Sequence, residues 1–155
     1  MLEPVIKKTN HQVEWMRWTA IGGGLKILAF FLMRQGKKEA LLGRALAEFE
    51  GVYKFESGDK KFSRYLVLKN GKVMAKKKYE GEHNFLFTLY EPAKMRLRAR
   101  QEMVLEIIIG NKIGQSGNLY YLYQFGFLIS LLDRSFKRKK MSRSLQVERA
   151  GSASG

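Results

Sequence analysis

The run from Leu119 to Phe136 places the strongest condition on what this chain can fold into. It reads Leu-Tyr-Tyr-Leu-Tyr-Gln-Phe-Gly-Phe-Leu-Ile-Ser-Leu-Leu-Asp-Arg-Ser-Phe, and Asn118 before it is a good helix N-cap. Tyr121, Phe125, Leu128, Leu132 and Phe136 fall on one helical stripe, yet the opposite side is nearly as apolar. A helix that is apolar almost all round must be buried on two sides or must face a ligand.

The preceding chain predicts layers that could cover it. Leu41, Leu42, Ala45, Leu46 and Phe49 recur at three- and four-residue spacing, giving a helix over 38–50 that Gly51 ends. The period then changes to two. Strands are expected over 52–56, 62–69, 72–78 and 85–90, with Asn70-Gly71 as a hairpin turn whose residues both tolerate positive φ. That order reads as an antiparallel meander needing a helical layer on its apolar face. Glu91-Pro92 opens a helix over 93–109, and 113–115 reads as a short last strand.

Before these elements lies an apolar stretch between Thr19 and Met33, interrupted by Lys26. It is short for a membrane span, which takes about 20 apolar residues, and it lacks the cleavage site of a signal peptide. It predicts a helix that packs in the core or lies in an interface, with Trp15 and Trp18 at its wet end. Gly22-Gly23-Gly24 beside Lys26 lacks the spacing of a phosphate loop, so a helix break or a close packing point is expected. Residues 1–37 thus read as a helical extension in contact with a membrane or the core, 38–136 as the domain proper, and 137–155 as a basic disordered tail.

The 155 residues contain no cysteine, which removes disulfides and thiolate chemistry together and fits a cytoplasmic setting. His11 and His83 stand apart with no metal-ligand pattern. No Gly-x-Ser-x-Gly elbow, nucleotide loop or carboxylate pair in an apolar setting is present, and the adjacent Glu82-His83 would point apart on a strand. No enzyme and no cofactor is expected. The net charge of +15 is more lopsided than solubility needs, though solubility alone stays open, and it draws a protein of this size to phosphates on nucleic acid or on lipid headgroups.

The order of motifs resembles the sterol carrier protein 2 (SCP2) family. The residues that carry the likeness are Gly51-Val52-Tyr53-Lys54-Phe55, Lys69-Asn70-Gly71-Lys72-Val73, Phe85-Leu86-Phe87-Thr88-Leu89 running into a helix, and Gly117-Asn118-Leu119 opening the last one. The likeness covers roughly Ala40 to Leu132 and implies an α+β fold, a mainly antiparallel sheet of about five strands under helices, with a hydrophobic tunnel between the layers. It also implies a non-enzymatic carrier of a sterol, acyl chain or phospholipid, without cofactor. The lining it implies is Phe85, Phe87 and Leu89 on the strand, and Leu119, Leu122, Phe125, Leu128 and Leu132 on the last helix.

Two features depart from that pattern: the charged loop 76–82 and the basic tail. Lys94, Arg96, Arg98 and Arg100, with Lys137, Arg138, Lys139 and Lys140, form the expected surface for an anionic membrane or partner, peripheral rather than spanning. The alternative is a nucleic-acid-binding or basic adaptor protein, with Tyr53, Phe55, Tyr65, Phe85 and Phe87 as stacking platforms. The sequence also leaves open a closed core in place of a tunnel.

Overall fold

The computed structural model describes residues 3–90 and 113–153. The helix expected over 93–109, with Lys94, Arg96, Arg98 and Arg100, lies outside the described residues. The elements in chain order are α1 (Glu3–Gly36), α2 (Ala40–Glu48), β1 (Gly51–Ser57), β2 (Ser63–Lys69), β3 (Lys72–Lys76), β4 (Phe85–Leu89), β5 (Ile113–Gly117) and α3 (Leu119–Ser152).

The five strands form one sheet in the order β3-β2-β1-β4-β5. The β2–β3 hairpin turns at Asn70 (φ 53°) and Gly71 (φ 71°), the pair of left-handed residues that a two-residue hairpin requires. The meander stops there. β4 does not pair with β3 but lies parallel to β1, with Tyr53 opposite Phe85 and Phe55 opposite Phe87. Asn84 causes this. Its backbone N–H donates to the Val52 carbonyl (2.8 Å) and its side-chain oxygen accepts from the Val52 N–H (2.8 Å). The returning chain is thus docked on the edge of β1 that β2 leaves open. The other pairings, β1–β2, β2–β3 and β4–β5, are antiparallel.

Period-two alternation sends Tyr53, Leu66, Leu68, Val73, Phe85 and Phe87 to the helix-covered face. The helices meet them with Ala29 and Leu32 from α1, Leu42, Ala45 and Leu46 from α2, and Leu128, Leu131 and Leu132 from α3. Two close contacts join the helices where they converge. Gly36 of α1 and Gly43 of α2 touch through backbone, and the Ser135 hydroxyl of α3 donates to the buried Gln35 side chain of α1 (3.0 Å).

Of the two readings of Gly22-Gly23-Gly24, close packing holds and a break does not: α1 runs through them, and a Cβ at Gly22 would stand 2.8 Å from Arg64 Nε. Three expectations change. Trp15 is 55% exposed as expected, but Trp18 is only 1% exposed and stacks on Phe62 at 6.0 Å, because it lies on the α1 face that also buries Leu25, Ala29 and Leu32. The segment expected as a disordered tail is helical to Ser152. It is rich in the straight-chain residues that favour helix, and Lys137 pairs with Asp133 one turn back at 2.9 Å. Residues 12–36 do have the length and hydropathy of a membrane span, contrary to the sequence expectation, but one face of α1 is spent on the core.

Two glycine substitutions separate close packing from mere helix propensity. A Cβ at Gly43 would stand 2.5 Å from the Gly36 carbonyl oxygen, whereas one at Gly23 meets nothing within 4 Å. Gly43→Ala is expected to lower stability by about 1–3 kcal/mol through overpacking. Gly23→Ala should raise it by up to about 1 kcal/mol through helix propensity. Urea midpoints of the two variants check both signs.

Candidate functional site

Tyr53 organises the interior. It occupies the middle of β1, 0% exposed, with its ring 5.2 Å from Phe125, 6.5 Å from Phe87 and 6.5 Å from Tyr121. A buried phenol needs partners, and α3 provides them. The Tyr53 hydroxyl donates to the Tyr121 carbonyl (2.8 Å) and accepts from the Gln124 side-chain NH2 (2.9 Å). Gln124 also reaches the Glu50 carbonyl at 3.4 Å. The first turns of α3 are therefore held by hydrogen bonds as well as by grease, and Asn118 caps them by accepting from the Tyr120 N–H (2.9 Å).

The other oxygen-bearing end of the same amide is left over. Gln124 is 4% exposed, and among the described residues its Oε1 has no hydrogen-bond partner. Leaving a buried acceptor unmade costs about 1–3 kcal/mol. Both Tyr53 and Gln124 lie outside the lining expected from the sequence. The signal for Gln124 was present, as the single polar residue in the run Leu119 to Ile129.

The expected lining residues fall in different places. Phe85, Phe87, Leu89, Leu128 and Leu132 are buried, and Leu122 and Phe125 are half-buried against the core. Leu119 is 58% exposed at the first turn of α3 and does not reach the interior. Rings meet at the seam between β4 and α3 and along the strands beside it. Phe87 and Phe125 stand 5.6 Å apart, Phe85 and Phe87 4.9 Å, and Phe55 and Phe87 5.1 Å.

Lys137, Arg138, Lys139 and Lys140 are exposed on the second half of α3. Two are partly neutralised, Lys137 by Asp133 and Arg138 by Glu39 at 3.5 Å. Lys139 has its ammonium pKa pushed below the usual lysine value, by local desolvation first and then by the nearby Lys38, Arg34 and Arg143. The end of α1, the middle of α3 and the corner into α2 thus bring positive charge together at one place.

The stacking-platform alternative meets a geometric obstacle. Tyr53, Phe85 and Phe87 lie beneath helices, and Phe55 and Tyr65 are half-buried. No base could stack on the first three without removing the covering layer. Among the described residues no group of histidine, aspartate and glutamate side chains is placed to hold a metal ion.

Burial pushes the Tyr53 phenol well above its ordinary value near 10. The fold therefore favours the neutral form. Its contribution to stability is complete below about pH 10, where the unfolded phenol is also neutral, and is lost as the pH rises further. Tyr53→Phe should cost roughly 1–2 kcal/mol at neutral pH, for the lost hydrogen bonds. It should also lose less stability than the parent chain between about pH 9 and 11. Urea unfolding at neutral pH and across that range gives both numbers.

No family model matches the sequence, and no curated protein matches it. Solved structures do match by fold. The chain is similar to a structure described as UbiJ-SCP2 ubiquinone synthesis protein, at 22% identity and a TM-score of 0.56, over 74% of this chain and 96% of that one. Sterol carrier protein 2 from Yarrowia lipolytica in its apo form matches at 17% identity and a TM-score of 0.40, over 64% of this chain and 85% of that one. The first of these, with the five-stranded sheet and its three helices, makes the assignment: the chain folds as an SCP2-like domain.

Proposed function

We propose that the chain is a non-enzymatic lipid-binding module that holds the apolar part of a sterol-like or acyl ligand between the sheet and α3. Its basic surface meets an anionic partner, and it works in the cytoplasm, peripheral to a membrane. The observation that carries this reading is the acceptor of Gln124, orphaned among the described residues, inside a largely apolar and aromatic interior. Ligand sites have this composition: apolar walls with a few placed polar groups that fix orientation. A ligand hydroxyl or N–H would satisfy Gln124 Oε1.

The seam must open to admit a guest, and Phe125 is the ring to move. It is half-buried at the helix surface, and swinging it out gives up its contacts with Tyr53, Phe55 and Phe87. Three aromatic contacts at about 0.5–1.5 kcal/mol each give a cost of roughly 1.5–4.5 kcal/mol. Ten methylenes taken from water return on the order of 8 kcal/mol before ordering costs. The balance favours a long chain and disfavours a short one. The SCP2-like fold and the UbiJ-SCP2 structure's description as a ubiquinone synthesis protein agree with an apolar guest.

Native mass spectrometry with lipid extraction, on protein purified gently from its own host, tests this reading. A bound species of lipid mass is expected, with lower occupancy in Gln124→Leu. Folding of that variant should change by no more than about 2 kcal/mol, since it removes the unpaired oxygen together with the two hydrogen bonds that Nε2 donates to the Tyr53 hydroxyl and the Glu50 carbonyl. A chain that carries no lipid and takes up none from mixtures of fatty acid, sterol and phospholipid would contradict the proposal.

A further inference from the structure

A second site lies between α1 and the β2–β3 edge of the sheet. An open cleft of about 300 Å³ is bordered there by Trp15, Gly22, Lys26, Arg64, Lys76 and Lys77. None of these four cations has a carboxylate partner among the described residues; the ion pairs found there belong to Lys54, Lys61, Lys137 and Arg138. Lys76 holds its Nζ 5.9 Å from the Tyr79 ring centroid, toward the outer face of the sheet. Lys26, Arg64 and Lys77 remain.

Arg64 is the informative residue. It stands opposite Phe55 in the β1–β2 register, and so belongs to the helix-covered face of the sheet. It is half-buried, and among the described residues its guanidinium makes one hydrogen bond, from Nη1 to the Ser63 carbonyl at 2.8 Å. A planar fork of five donors brought under a helix with one neutral acceptor is under-satisfied. The helix is notched to receive it. A Cβ at Gly22 would come 2.8 Å from Arg64 Nε, so the absence of a side chain at that turn lets the guanidinium lie against α1.

We infer that this cleft binds a phosphate group, with Arg64 as its planar fork and Lys26 and Lys77 as flanking charges. Several unpaired cations converging on one cleft match a phosphate monoester dianion better than a single carboxylate, which would leave the excess charge in place. The exposed apolar residues Met16, Ile27 and Phe30 recur along α1 at helical spacing, and Trp15 is exposed at the rim of the cleft. This setting favours a phosphate presented by a lipid headgroup, with the apolar stripe against the bilayer interface. The site is independent of any guest in the interior and would stand if that guest were absent.

Charge-neutral surgery separates a built site from a diffuse field. Binding of the full chain to phosphatidylcholine vesicles, with and without phosphatidic acid, is compared among Arg64→Gln, Gly22→Ala, Gly126→Ala and Lys72→Gln. Gly22→Ala keeps every charge but displaces the Arg64 guanidinium, whereas a Cβ at Gly126, on α3 and outside the cleft, meets nothing within 4 Å. Lys72→Gln removes one exposed charge outside the cleft. Arg64→Gln and Gly22→Ala should lose about tenfold or more in affinity, as expected when charge-assisted hydrogen bonds are lost, with both controls within about twofold.

A parallel titration with inorganic phosphate, read at the Arg64 Nε–H resonance by NMR, distinguishes the sources. Vesicle binding that depends on phosphatidic acid identifies a headgroup. A phosphate response in Arg64 without vesicle binding identifies a soluble phosphate compound, with the same site chemistry. Equal losses in Arg64→Gln and Lys72→Gln with none in Gly22→Ala, or no response to either probe, would overturn the assignment.

Discussion

The fold turns on one buried phenol. Tyr53 is fully enclosed in the central strand β1, and its hydroxyl ties the sheet to the first turns of α3 through the Tyr121 carbonyl and the Gln124 amide. Around it the rings of Phe87, Phe125 and Tyr121 fill the space between the layers. Apolar contact alone is non-directional. The hydroxyl sets the register of α3 against the sheet, and so decides which of the helix's nearly equivalent apolar sides faces inward. Leu128, Leu131 and Leu132 follow from that choice, while Tyr123 and Phe127 are turned to the exterior.

The same arrangement leaves a polar residue, Gln124, half-used among apolar side chains, and places the half-buried ring of Phe125 one residue further along the helix. The Tyr121 carbonyl that anchors Tyr53, the orphan acceptor and the Phe125 ring are thus adjacent on one turn of α3. The consequence is functional as much as structural. A core with every polar atom paired would gain nothing specific from a guest, whereas this one can offer a hydrogen bond as well as apolar walls.

What could be read from the sequence is what local chemistry determines. The α2 stripe, the Asn70-Gly71 turn and the Asn118 cap all depend on residues a few positions apart, and the structure has all three. The placement of β4 was not legible, because it depends on Asn84 finding Val52 across 32 positions of sequence. Trp18 read as a wet-end residue for the same reason: only its partner Phe62, on the approach to β2, reveals that its side of α1 is covered. The run Lys137 to Lys140 has the composition of a tail, yet it continues a helix already nucleated upstream, and helix propagation is far easier than nucleation. The cationic cleft was invisible for a further reason. Its residues come from α1, β2, β3 and the chain just after it, and the glycine that admits Arg64 carries no chemistry of its own.

Occupation of the interior is the claim on which the functional account rests, and methyl NMR tests it most directly. With leucine methyls labelled, the chain is titrated with a long-chain fatty acid, and intermolecular Overhauser contacts are read to the acyl protons. The account requires contacts to Leu122, Leu128 and Leu132, which face the core, and none to Leu119 or Leu145, which are exposed. Contacts confined to the exposed leucines, or a titration that leaves the interior methyls unmoved, would contradict it.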